Sequence, residues 1–139
     1  MPSQLQEMNG KNEPFKLSNK VGGMNMTFDD KLGRYVNEYN DLIFTWENPD
    51  EDRSDDEKRI AENYYSHIDD IARFMLPDLI EIYGDVTIEE VKEKLGKPLI
   101  DYDNGTVTYF EQSFDNDHIF EFEFMDDEFE DLQFFSIDG

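Results

Sequence analysis

The chain has 139 residues, long enough for one domain with a single core and too short for two ordinary ones. Its formal net charge of −23, from 35 Asp and Glu against 12 Lys and Arg, argues against nucleic acid or an anionic membrane as a direct partner, because the surface repels both. Cysteine is absent, which excludes disulfides and a thiolate nucleophile, while an aromatic share of 14% separates the chain from disordered polymers of similar charge.

Residues 1–22 are polar, slightly basic and without periodicity. They predict a flexible N-terminal arm ahead of a single α+β domain over residues 23–139. The arm has no apolar h-region and no run approaches 18 apolar residues, so a cytoplasmic protein is expected. Residues 24–28 ("MNMTF") alternate like a strand, "DDKLG" is a turn, and residues 35–39 form the return strand. Residues 41–47 ("DLIFTWE") are rich in strand formers and hold the only Trp; Pro49 and the acids after it end the strand.

Ser54 and Glu57 have the spacing of a helix-opening capping box. Ile60, Tyr64, Ile68, Ile71 and Met75 then recur at steps of four, four, three and four, predicting one long amphipathic helix over residues 55–76. Pro77 is expected to interrupt it, leaving "PDLIEIYG" as a short second helix stopped at Gly84. Thr87 and Glu90 open a third, "TIEEVKEKLGKP", with Gly96 placed for its C-terminal turn and Pro98 preventing continuation.

The remainder reads as a C-terminal four-stranded antiparallel meander packed on the long helix. "PLIDY" and residues 106–114 flank the turn signal Asn104-Gly105, and residues 118–124 and 129–137 complete the set. Alternation puts His118, Phe120, Phe122 and Phe124 on one face and Ile119, Glu121 and Glu123 on the other. The phenylalanines need a cover, which the long helix is expected to supply.

Clustered acids raise the question of calcium, but the twelve-residue calcium-loop pattern fails. From Asp101 the glycine falls at the fifth position and Gln at the twelfth; from Asp115 the sixth position is Phe. His118 and Glu121 lie on opposite strand faces, His67 lies at the edge of the helix stripe, and no catalytic or cofactor-binding motif occurs. No metal, no cofactor and no catalytic residue is therefore assigned.

The charge is unevenly distributed. Residues 1–97 hold 22 acids and all 12 bases, whereas residues 98–139 hold 13 acids and no Lys or Arg. The candidate partner-binding residues are Glu111, Glu121, Glu123, Asp126, Asp127, Glu128, Glu130 and Asp131. Such a surface either docks on a basic partner through electrostatic steering or is a solvated sheet face that discourages edge pairing. The lack of any compensating base keeps the first reading open, since solvated strands ordinarily mix both signs.

The stretch "DVTIEEVKEKLGKPLIDYDNGTVTYFEQSFDNDHIFEFEFMDDEFEDLQFFSIDG" resembles members of a poorly characterised bacterial family of small acidic proteins, the domain of unknown function numbered 2004. That resemblance spans about residues 24–139 and implies an α+β domain with no assigned catalytic residues. Similar small acidic bacterial proteins act as immunity partners of toxins, by analogy. "TIEEVKEKLGKP" and the strands after it also resemble small outer-membrane assembly lipoproteins and β-lactamase-inhibitor-like domains, in fold only. The expectation is thus a non-enzymatic acidic protein binding a basic protein or peptide. The alternatives are a divalent-cation-binding module and an enzyme of unrecognised type.

Overall fold

A computed structural model describes residues 26–139. The expected arm at residues 1–22 and the first two residues of the expected strand at 24–28 lie outside them. Seven strands form one mixed sheet in chain order: β1 (Thr27–Asp29), β2 (Arg34–Tyr39), β3 (Leu42–Thr45), β4 (Leu99–Asp101), β5 (Thr106–Tyr109), β6 (Ile119–Phe124) and β7 (Leu132–Asp138). Between β3 and β4 the chain makes three helices, α1 (Ser54–Ser66), α2 (Ile68–Tyr83) and α3 (Ile88–Lys94).

This corrects the expectation of an N-terminal β segment separate from a four-stranded C-terminal meander. β3 pairs with β4 in parallel, Ile43 opposite Leu99 and Thr45 opposite Asp101, which joins both groups of strands into one sheet. The cause is the burial of β3. Leu42, Phe44 and Thr45 are almost inaccessible, so the backbone groups along that edge need partners other than water. Ile43 N–H finds the Pro98 carbonyl at 2.9 Å, and β4 supplies the rest.

The single long helix is also corrected. It breaks at His67, whose φ of −114° and ψ of 16° leave the helical region and whose Nδ1 lies 3.0 Å from the Asn63 carbonyl oxygen, which also accepts the His67 N–H. Pro77 sits inside α2 without ending it, because Ile71, Met75 and Leu79 are buried on one continuous face across it. α3 starts as expected, with the Thr87 hydroxyl accepting from the Glu90 N–H at 3.1 Å. No capping box forms at Ser54. Ser54 donates to Asp52, and Glu57 is buried inside the fold.

All three helices cover one face of the sheet. Phe44, Ile100, Val107, Tyr109, Phe120 and Phe122 point into that layer and are fully buried. Phe74 of α2 meets Phe122 edge-on with ring centroids 5.9 Å apart, and Tyr83 lies against Phe120. Two hydroxyls are carried into this core: those of Tyr64 on α1 and Tyr109 on β5 meet at 2.6 Å, and burial raises the pKa of both. Each is the other's partner. Tyr64→Phe therefore strands the Tyr109 hydroxyl and costs about 2 kcal/mol, whereas Tyr64→Phe/Tyr109→Phe costs less than the sum of the single changes. Strictly additive losses in urea unfolding would contradict the pairing.

Candidate functional site

Among the described residues, alternation along the strands leaves the opposite face of the sheet without a helix, although Thr45, Leu99, Asp101 and Thr108 at its centre are buried. Following the registers across it, one row runs Ile43, Leu99, Thr108, Glu121 and Ser136, and the next runs Thr45, Asp101, Thr106 and Glu123. Asp138 pairs with Ile119 on the same face, diagonal to Glu121. Glu121, Glu123 and Asp138 thus bring three accessible carboxylates to this face, and Asp101 is a fourth that is buried within it.

The base nearest this group is Arg34 on β2, whose guanidinium lies 3.2 Å from Asp101. Asp101 also accepts from the Asn104 backbone and side chain, so it is the best-compensated member. Among the described residues Glu121 has no such partner. Its pKa lies above the ordinary 4.5, chiefly through partial burial and then through the charges of Asp138 and Glu123, with Arg34 only partly opposing them. Among the described residues Arg34 is the one cation acting against these carboxylates.

The other candidate residues lie elsewhere. Glu111 is exposed beyond the end of β5, where its backbone packs against Gly96. Any Cβ added at Gly96 would stand 2.8 Å from the Glu111 carbonyl oxygen, and the residue's φ of +74° disfavours other side chains as well. Asp126, Asp127, Glu128, Glu130 and Asp131 form the loop between β6 and β7, and several of these carboxylates serve the fold. Asp126 accepts backbone N–H bonds from Glu128, Glu130 and Asp131 at 2.8–3.1 Å. Asp127 takes the Arg59 guanidinium at 3.0 Å and the Tyr102 hydroxyl. His67 Nε2 stands 3.9 Å from Glu130. The run without Lys or Arg is therefore answered in this loop by side chains from α1 and its C-terminus. Sequence separation hid them.

Both histidines are engaged in local contacts. His118 Nδ1 lies 2.7 Å from Asp115, which also accepts from the Tyr83 hydroxyl and from the N–H groups of Asp117 and His118. Those donors, Tyr83 first, hold the Asp115 carboxyl well below the usual range. Gln112, almost fully buried, ties the same loop together: its amide donates to the His118 carbonyl and its oxygen accepts from Phe114 N–H. His67 lines a shallow groove of about 300 Å³ with Phe74, Phe129 and Glu130, where no nucleophile accompanies it. Among the described residues, no three His, Asp or Glu side chains are placed to hold a metal ion.

Sequence reasoning missed three members of the open face: Arg34, Asp101 and Asp138. Asp101 carried a usable signal, since it shares a strand face with Leu99 and not with Ile100. Arg34 carried none, because only the parallel β3–β4 pairing brings β2 near it. Among the described residues no helix is long and apolar enough to cross a membrane. Compared with known proteins, the chain matches no family model, no curated protein and no solved structure.

Proposed function

We propose that this is a cytoplasmic, non-enzymatic binding protein whose acidic open sheet face engages a basic protein partner, in the manner of an immunity protein that neutralises a toxin. The observation that supports the reading is the placement of Glu121 and Glu123 on one sheet face with Asp138 and, two strands away, Asp101, where Arg34 is the one nearby base among the described residues. Like charges held this close repel one another. A cationic partner relieves that repulsion, so association gains from it, and the long-range field speeds encounter. The loop carboxylates contribute less, because Arg59 and three backbone N–H groups already occupy Asp127 and Asp126.

The test is the affinity of an oligoarginine peptide for the wild type and for Glu121→Gln/Glu123→Gln, at low and at high salt. The expected result is a loss of about ten-fold on neutralising the pair, with a shallower salt dependence. Glu128→Gln/Glu130→Gln serves as the comparison and changes affinity less. Equal losses for both double variants, or none for the first, would contradict the assignment to the sheet face.

A further inference from the structure

At the end of the parallel β3–β4 pair, a solvent-open cleft of about 400 Å³ is lined by residues of β1 and β2, of the segment after β3 and of the turn after β4. That volume falls inside the range of small-ligand sites, roughly 300–1,000 Å³. Phe28 and Tyr35 supply aromatic surface, each about half exposed and edge-on to the other at 5.1 Å, while Trp46 borders the cleft from the core with its ring already covered by Arg53. Glu47, Asp101, Asp103 and Arg34 supply the charge, a balance of −2.

Of these groups, Asp101 and Arg34 satisfy each other. Asp103 uses one carboxylate oxygen to accept the Glu47 backbone N–H, and the Glu47 side chain makes no hydrogen bond or ion pair among the described residues. The cleft therefore offers carboxylate acceptors opposite aromatic faces. An anion would meet net negative walls and a guanidinium already engaged; an uncharged ligand could donate to the carboxylates but would leave their charge unneutralised. A planar cation uses both, stacking on rings while its N–H groups reach carboxylates.

The protein already binds guanidinium in both of these ways within its own chain. Arg34 is held by Asp101 at 3.2 Å, and the Arg53 guanidinium lies 4.8 Å from the centre of the Trp46 ring. We infer that the cleft bounded by Phe28, Tyr35, Trp46, Glu47 and Asp103 is a receptor for an arginine side chain. Its biological occupant, an arginine projecting from the basic partner, rests on the function proposed above, while the cleft's chemistry stands on different atoms from Glu121 and Glu123. Arginine fits better than lysine because a compact ammonium cannot stack on a ring while forking onto a carboxylate.

Trp46 is the only tryptophan in the chain and borders the cleft, so its fluorescence reports on binding there. The experiment titrates the full-length protein with N-acetylarginine methylamide and, in parallel, with the citrulline analogue, which keeps the shape and loses the charge. A saturable Trp46 response to the arginine compound alone is expected, weakened about ten-fold in Glu47→Gln/Asp103→Asn and several-fold in Tyr35→Ala. Circular dichroism of each variant establishes that it is folded. An equal response to the citrulline analogue, an undiminished response in folded Glu47→Gln/Asp103→Asn, or no saturable response in wild type overturns the inference. Glu121→Gln/Glu123→Gln separates the two readings. It leaves the arginine response intact if the cleft is right, whatever becomes of oligoarginine binding at the open face.

Discussion

Phe122→Ala lowers the unfolding free energy by about 4 kcal/mol, within the span for deleting a buried phenylalanine ring. Phe122 is fully buried on β6, edge-on to Phe74 of α2 and in contact with Tyr109 of β5. Alanine removes the ring from the junction of three elements and leaves a cavity that their backbones cannot close. Urea unfolding reads the loss as a lower midpoint with an unchanged slope. Phe134→Ala provides the contrast. Phe134 is 69% exposed on β7, with φ +57° where the β6–β7 register shifts, and its loss changes stability by no more than about 0.5 kcal/mol. Similar losses at the two positions would mean that the described core is wrong.

The second large effect is at Glu57. Its carboxylate accepts from the Trp46 indole N–H and the Asn37 amide, both at 2.8 Å, and ties α1 to β3 and β2. Only 2% of the residue is exposed. Glu57→Ala strands the buried indole donor and weakens the Asn37 anchor, a loss of about 3 kcal/mol. Glu57→Gln costs about 1 kcal/mol, because its amide oxygen still accepts from Trp46 and Asn37 can turn its own oxygen to the new NH₂. The two variants also differ from wild type in pH response. Burial raises the Glu57 pKa above 4.5, against the opposing effect of both hydrogen bonds. The folded protein therefore binds this proton more tightly than the unfolded chain. Glu57's titration contributes stability that is fully present below 4.5 and is lost as pH rises through the folded value. Wild type should gain on Glu57→Gln as pH falls from about 7 to about 4. A gain in the opposite direction would mean that the two hydrogen bonds outweigh burial and hold the carboxyl below 4.5.

These two positions also show how far the sequence could be read. Phe122 was legible, because strict alternation over β6 assigns Phe120, Phe122 and Phe124 to one face whatever covers it. Phe134 was not, since a register shift and a left-handed residue in β7 break the alternation that such a reading relies on. Glu57 was misread for a related reason. Its spacing from Ser54 matched a local cap, but the Trp46 indole buried beside it needed an acceptor, and that tertiary demand prevailed. The parallel β3–β4 pairing was illegible because it depends on where three helices return the chain, which no local pattern records.

The candidate site divides along the same line. Glu121 and Glu123 could be placed on the open face from alternation alone. The role of Asp126 as a backbone acceptor and the answer of Arg59 to Asp127 needed the loop's path across α1. As a result the acidic surface is smaller than a count of acids suggests. It centres on the sheet face, where compensation is thinnest.

The most direct measurement of that claim is the titration of the Glu121 carboxyl carbon by NMR, free and saturated with oligoarginine. In the free protein the carboxyl should titrate above 4.5, raised by burial and by Asp138 and Glu123, and the bound peptide should lower it. An ordinary value in the free protein, or the same value in both states, would contradict an uncompensated acidic face that takes a basic partner.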